Sequence, residues 1–345
     1  MEILFAYITQ SQKYFYRLST ARTFSISSSI HKDTCTKMSS EQDQAEESGE
    51  GGSEQFNMTI SSLIQRLETT LSPSPTGIEG IDSEDDRVGT IGSLNRDYMT
   101  NRQDWYGAAL DYWDDTEANV DGMLGGFAQL SPSDLVASKR FLRHLQDNIR
   151  PDLRFEVSCE CGAGIGRVSK GVFLPLDFAR CDIVEVSAEL ISQSPDYIGD
   201  LASRCKFYCT GLQDFVPKPS TYDVIWVQWC IGYLTDMDCV KFLTRMGASL
   251  RRGGVIVIKD NACENDAFVL DREDSSVTRS LDYLLALVDI AGLRVVCQKM
   301  QGEGGDEDEA FPASIFPVPM MALEPKQNIE SNEGQVGKEE DAYQL

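Results

Sequence analysis

Three glycines at alternate positions constrain this chain more than any other feature. Gly162, Gly164 and Gly166 lie in ECGAGIGRVSK (160–170), between RFEVSC (154–159), which has the composition of a strand, and a stretch of helical spacing at 166–178. Residues without a Cβ at such a strand-to-helix turn let backbone approach a bound group closely. The turn implies a parallel sheet, in which strands are joined by crossover helices. The other apolar runs supply one. DIVEVS (182–187), KFYCT (206–210), YDVIWVQ (222–228), GGVIVIKD (253–260) and LRVVCQKM (293–300) read as strands, with helices from Ala188, over 236–251 and over 275–291. YDVIWVQ is apolar almost throughout, as a central strand covered on both faces should be. SIFPVPMMAL (314–323) makes a seventh strand, which its two prolines confine to an edge or shorten. Helices over 102–113 and 131–147 come first. The fold expected is α/β, a seven-stranded Rossmann-like sheet with added N-terminal helices.

The loop reads G-x-G-x-G, not the G-x-G-x-x-G of dinucleotide folds, and G-x-x-x-x-G-K-[ST] is missing, which argues against dinucleotides and triphosphates. Roughly twenty residues further, at the end of the second strand, Glu185 is placed to accept hydrogen bonds from both hydroxyls of an adenosine ribose. Arg167, just past the loop, can pair an amino-acid carboxylate through two parallel N–H bonds. GLQDF (211–215), after the third strand, is placed to embrace an adenine with backbone N–H groups and the Gln213 amide. A sulfonium nucleoside ending in an amino acid suits all three, so the cofactor expected is S-adenosylmethionine.

The chain carries 31 Lys and Arg against 55 Asp and Glu, a formal charge of −24. That charge repels phosphate, so neither nucleic acid nor an anionic membrane is an expected partner. Its distribution is uneven: residues 41–54 hold six acids and no Lys or Arg, 303–309 hold five acids, and the tail from Glu324 holds six against two lysines. Segments of that kind bury too little apolar surface to fold. Residues 1–38 differ, with Lys13, Arg17, Arg22, Lys32 and Lys37 against Glu2 and Asp33, around the serine-rich ARTFSISSS. Their composition suits an organelle transit segment, or an unstructured extension upstream of a start at Met38. FNMTISSLIQRLETTL (56–71) has helical spacing, but the Ser-Pro and acid-rich stretch after it argues against its joining a core. The division expected is a leader and acidic linker at 1–96, a catalytic domain at 97–323 and an acidic tail at 324–345. Ten cysteines without a C-x-x-C pair argue for reduced thiols and against a metal site, with Cys205, Cys209, Cys230 and Cys263 as buried small hydrophobes. No run of eighteen apolar residues occurs. A monomer in the cytoplasm is expected, with the nucleus as an alternative and organelle targeting left open.

DYWDDTEANVDGMLGG (111–126), ECGAGIGR (160–167), GLQDFVPKPSTYDVIWVQWCIGYLTD (211–236) and IKDN…LDREDSSVTR (258–279) closely resemble the protein α-N-terminal methyltransferases, over about Tyr112 to Met300. The resemblance implies a class I S-adenosylmethionine-dependent methyltransferase fold with a β-hairpin over the substrate. It implies methylation of the α-amine of proteins that begin Xaa-Pro-Lys after initiator methionine removal, so the partners expected are proteins or peptides with a free cationic N-terminus. By matching motif, Gly162, Arg167, Glu185, Leu212, Gln213 and Gln228 would hold the cofactor, with Gly164 from the glycine loop. Asp274 would take the proton, Asn261 would hydrogen-bond the peptide start, Asp271 would pair the third-position lysine, and Trp229 would wall the second-position proline. VDGMLGG (120–126) would help enclose both ligands.

One departure bears on catalysis: Tyr233 stands where the family usually has histidine. A phenol with a pKa near 10 is a poor base. The chain's two histidines, His31 and His144, lie in the leader and on an N-terminal helix. The α-amine itself has a pKa of about 7.7–8, so a useful minority is already free near neutrality and a modest base suffices. Either Asp274 alone suffices, or the rate is slower, or the substrate preference is shifted. The insertion ACENDAFVL (262–270) can reshape the peptide pocket. Methylation of another amine, or a non-catalytic relative that only binds, are the alternative readings.

Overall fold

The computed structural model describes residues 58–97, 99–303, 311–312 and 315–326. The transit-type leader, most of the acidic linker, the acidic run at 304–310 and the tail past Lys326 lie outside the described residues. The described chain opens on α1 (Ile60–Leu71), where Leu63, Ile64, Leu67 and Leu71 share one buried face. Thr59 and Ser62 cap it reciprocally: the Thr59 hydroxyl accepts from the Ser62 N–H, and Ser62 Oγ accepts from the Thr59 N–H. A hairpin of β1 (Glu79–Asp82) and β2 (Arg87–Thr90) follows, then α2 (Ile91–Asp97). This corrects the expected start at Asp97. Leu63, Leu67, Leu71, Ile91 and Leu94 are buried in the same apolar cluster as Tyr283, Leu284 and Leu287. The polar stretch after α1 does not enter the core; it turns over the surface, where Ser74 Oγ donates to Asp282.

α3 (Arg102–Asp114), the single turn α4 (Val120–Met123) and α5 (Ser131–His144) lead to the main sheet. Its strands are β3 (Val157–Cys161), β4 (Arg180–Glu185), β5 (Cys205–Cys209), β6 (Tyr222–Gln228), β7 (Leu250–Lys259), β10 (Leu293–Met300) and β11 (Pro319–Pro325), in the order β10-β11-β7-β6-β3-β4-β5. β3 through β7 run parallel and β11 alone is reversed. β3 and β6 are buried along their whole length. α6 (Ala188–Ile198), α7 (Asp236–Ser249) and α8 (Leu281–Ile290) are among the connections. The helix expected over 166–178 is present in shortened form, α-helical at 167–168 and continuing as a wider π-helix over Ser169–Phe173.

Two expectations about the C-terminal part need correction. β11 is not an edge, since it lies between β10 and β7; the prolines shorten it instead, and it begins only at Pro319. Pro319 and Pro325 are its first and last residues, where a missing N–H costs the ladder little. The domain also continues past residue 323, because Glu324 is 7% exposed and accepts an ion pair from Arg150 (Nη1–Oε2 2.5 Å) as well as one from Arg294. The helix expected from 275 begins only at Leu281, capped by Ser280. Before it, SVTR forms β9 (Ser276–Arg279), the β-branched pair favouring extended chain. β9 is hairpinned to β8 (Phe268–Asp271), and β8 pairs in parallel with β1, giving a second sheet ordered β2-β1-β8-β9. The insertion at 262–270 thus carries a strand that joins the N-terminal hairpin to the main domain. Among the described residues no helix is long and apolar enough to cross a membrane.

Candidate active site

A cleft of about 1030 Å³, its open mouth included, lies beyond the C-terminal ends of β3, β4 and β6, where ligands bind in sheets of this topology. Its floor is the glycine loop. Gly162 and Gly164 have φ of +62° and +54°. A Cβ on Gly162 would come 2.5 Å from Cys230 Cβ, and one on Gly164 would strike Met123 Sδ. Met123 belongs to the 120–126 segment, which therefore closes over the loop.

Glu185 ties this floor to the sheet. Its Oε2 accepts from the Gly164 N–H (2.8 Å), and its Oε1 from those of Val186 (2.8 Å) and Ser187 (2.9 Å). With one donor, Oε2 keeps capacity for another, as a ribose hydroxyl requires. Burial raises the carboxyl's pKa, against the pull of these N–H groups. Thr210, Gly211, Leu212 and Gln213 form the next wall. Arg245 fixes that loop by donating to the carbonyls of Leu212 (3.0 Å), Gln213 (3.0 Å) and Phe215 (3.1 Å).

On the opposite side Arg167 and Gln228 line the cleft and converge on one residue that sequence reasoning missed. Asp134, fully buried on α5, pairs with Arg167 (Nη1–Oδ2 2.7 Å) and with Lys259 (Nζ–Oδ1 2.5 Å), and accepts from Gln228 Nε2 (2.8 Å). Gln228 Oε1 accepts from Trp226 Nε1 at 2.7 Å, so the amide is held at both ends. Lys259 interrupts the apolar run VIVIK, a signal that could have marked it. Asp134, in a polar helix start, offers none.

The acceptor end is built on a strained turn. Trp229 follows β6 with φ +51°, an uncommon conformation for a bulky residue, which turns its ring into the cleft instead of the core. Its Nε1 donates to Asn261 Oδ1 (3.2 Å), the Phe311 ring stacks at 6.4 Å, and the Arg167 guanidinium sits 5.6 Å from the ring centroid. Phe311 had no periodic signal to reveal it. Tyr233 lines the same wall, edge-on to Trp113 at 6.0 Å, and its hydroxyl donates to Asp274 Oδ2 at 2.8 Å. The other oxygen, Asp274 Oδ1, is buried without a well-formed hydrogen bond. Burial first, and the neighbouring Asp271 carboxylate second, push the Asp274 pKa up to about 6 against the pull of Ser276 and the Tyr233 hydroxyl. Burial and Asp274 raise the Tyr233 phenol well above its ordinary value, so it is no base near neutrality. Asp271 and Asp274 belong to the β8–β9 hairpin turn and cap no helix; Asp271 Oδ1 accepts from the Glu273 N–H at 2.9 Å.

Every residue expected to hold cofactor lines the cleft, as do Trp229 and Tyr233. Asp274 and Asn261 reach it through those two, and Asp271 stands behind Asp274. His144 is not among the lining residues. Among the described residues no cluster of His, Cys, Asp and Glu could hold a metal ion. Cys230 and Cys263 are buried as expected, but Cys205 and Cys209 are only half-buried, because β5 is the exposed edge of the sheet.

A family model described as AdoMet dependent proline di-methyltransferase matches residues 101–324. The chain is 39% identical over 231 residues to N-terminal Xaa-Pro-Lys N-methyltransferase 1-B of Xenopus laevis, which covers 67% of this chain and all of that protein. It is 38% identical over 279 residues to α N-terminal protein methyltransferase 1 of Dictyostelium discoideum, across 78% of this chain and all of that protein. A SAM-dependent methyltransferase from Leishmania major superposes with a TM-score of 0.64 at 31% identity, covering 72% of this chain and 96% of the other. The cleft fits S-adenosylmethionine: side-chain-free backbone at the floor, an acceptor for ribose at Glu185, and a cation at Arg167. The fold is that of a class I methyltransferase, and the chain belongs to the AdoMet-dependent proline di-methyltransferase family.

Proposed function

We propose that this protein methylates the α-amine of protein N-termini that begin Xaa-Pro-Lys. The named relatives support that acceptor class. The observation that carries it is the Asp274 carboxylate, one oxygen held by Tyr233 and the other buried without a well-formed hydrogen bond, set against the Trp229 wall. S-adenosylmethionine supplies a methyl group on a sulfonium, and only an unprotonated amine can take it. Asp274, with a pKa of about 6, is ionised at neutral pH and accepts a proton at Oδ1 from the incoming α-ammonium. The amine's pKa of about 7.7–8 lies close enough for that transfer to be mild, whereas a lysine at about 10.4 would hold its proton. Asn261 Oδ1 is taken by Trp229, which leaves Nδ2 to donate to the first peptide carbonyl. The Trp229 face packs the proline ring, and Asp271 attracts the third-position lysine.

The acceptor is tested by mass spectrometry of a peptide beginning Ser-Pro-Lys, incubated with enzyme and S-adenosylmethionine beside its N-acetylated twin. Mass gained in methyl steps on the free peptide alone is expected. Methylation of the acetylated peptide would move the acceptor to the lysine side chain, and no gain on either would remove this substrate class.

Tyr233 holds the base; it does not act as one. Tyr233→Phe removes a hydrogen bond to the charged form of Asp274, an interaction of about 1.5–3 kcal/mol. The acidic limb of the kcat pH profile should move up by about one to two units, so that kcat near neutrality falls about two- to tenfold. A reduced rate with an unmoved limb would mean that Tyr233 contributes packing alone.

A further inference from the structure

The turn that carries Tyr233 is pinned through its backbone. Cys230 and Ile231 donate their N–H groups to Asp260 Oδ2 (3.1 and 3.3 Å), and Trp105 Nε1 donates to the Tyr233 carbonyl at 2.6 Å. Two neighbouring carbonyls go to one side chain: Arg279 donates to that of Ile231 (Nη1, 3.3 Å) and to that of Leu234 (Nη2, 2.7 Å). Arg279 is the last residue of β9, the strand that leads away from Asp274. It therefore joins the two chain segments whose side chains meet in the Tyr233–Asp274 hydrogen bond. Gly232 lets those segments touch, because a Cβ there would come 3.0 Å from the Val277 carbonyl oxygen of β9.

Arg279 is itself oriented. Asp236 Oδ1 accepts from its Nε (2.9 Å) and its Nη2 (2.7 Å), and both side chains are buried. Asp236 Oδ2 is held in turn by the Tyr283 hydroxyl from α8 and by Asn95 Nδ2 (2.6 Å) from α2. A buried ion pair offsets its desolvation only where further hydrogen bonds satisfy both partners, as they do here. Asn95 precedes the span matched by the family model, residues 101–324, so the N-terminal addition reaches the acceptor side of the site through this amide. We propose that Arg279 is a positioning residue for proton removal from the amine: held by Asp236 and Asn95, it locks the Tyr233 turn against the Asp274 hairpin and so aligns the hydrogen bond between the two side chains. This rests on the reading of Asp274 as the base and identifies what aligns it. Arg279 is not among the residues that line the cleft. Hydrogen bonds weaken steeply as their angle closes, so a loosened turn registers as a higher Asp274 pKa.

The test titrates Asp274 directly, by carbon-13 NMR of carboxyl-labelled aspartate in the full chain, with its resonance identified by its loss in Asp274→Asn. Besides Tyr233, the charged group that acts on Asp274 is Asp271 on its own hairpin, and Tyr112 of α3 acts on Tyr233; neither Asp271 nor Tyr112 is altered in any variant. Arg279→Lys keeps a cation opposite Asp236 but lacks the planar fork that reaches two carbonyls as well. Its Asp274 midpoint should rise by about one unit, towards that of Tyr233→Phe. Asn95→Ala removes a single hydrogen bond from the network and should raise the midpoint by about 0.4 unit or more. In a Tyr233→Phe background neither change should move it further, because the bond they align is gone. That non-additivity separates alignment from a loss of stability. An unmoved midpoint in either folded single variant, or shifts that add in full to that of Tyr233→Phe, would overturn the assignment. Asn95→Ala decides the matter should Arg279→Lys fail to fold. The acid limb of kcat should follow the midpoint in every variant. A midpoint that moves while the limb stays in place would instead refute Asp274 as the base and leave the clamp confirmed.

Discussion

Asp274→Asn should lower kcat by about a hundredfold or more while leaving the affinity for S-adenosylhomocysteine nearly unchanged, because a positioned base contributes roughly 10²–10⁴-fold and Asp274 is not among the residues that line the cofactor cleft. Asparagine keeps an oxygen to accept the Tyr233 hydroxyl but has no lone pair basic enough for the amine's proton. In the wild type, kcat should fall tenfold per pH unit below about 6, as protonation of Asp274 removes the base. The variant should lose that limb. Stability offers an independent check with a definite sign. The folded-state pKa is raised, so ionised Asp274 is disfavoured in the native state, and its penalty grows as pH climbs from the ordinary carboxylate range through about 6. Above that window Asp274→Asn should melt higher than wild type. A variant that keeps more than about a tenth of the wild-type rate, with its acid limb intact, would remove Asp274 as the base.

Leu67→Ala should cost about 2–5 kcal/mol, the usual range for emptying a fully buried leucine site. If α1 were part of a loose leader, the same change would be silent. Leu67 instead belongs to one face of α1 that packs against α8, in the cluster that also holds Leu234, Ile231 and Phe268 next to the acceptor wall. Chemical denaturation should show a lower midpoint with an unchanged slope, as for a loss of packing without a change in surface exposed. A silent Leu67→Ala would return the start of the folded domain to Asp97.

The sheet was legible because its signals are local. Strands buried on both faces must be apolar, and the six runs from RFEVSC to LRVVCQKM each overlap a strand of the sheet, two of them end to end and the others with ends shifted by one to three residues. The glycine loop was legible for the same reason, since positive φ and close approach select glycine wherever the chain ends up. Glu185, Arg167 and Gln213 follow from their distance along the chain to a strand end, whereas Gln228 came from resemblance. The catalytic roles of Asp274, Asn261 and Trp229 came from resemblance, not from spacing.

What stayed hidden depends on contacts between distant parts of the chain. The helical spacing at 56–71 was visible, but only α8 and the β8–β9 hairpin provide the apolar surface that α1 and the β1–β2 hairpin join. The prolines in SIFPVPMMAL suggested an edge or a shortened strand; Pro317 precedes β11 and Pro319 is its first residue, so the rest of the strand can insert between β10 and β7. Asp134 looked like an ordinary acid in a helix start, and its burial became affordable only where Lys259 and Arg167 arrive from β7 and the glycine loop. The sequence by itself determined the α/β class and the cofactor loop, because each is set by local conformation or by residue chemistry. Tertiary structure alone decided where the domain begins, which strand lies at the edge and how the buried charges pair. Those depend on burial and electrostatics summed over elements more than a hundred residues apart, and no local pattern records them.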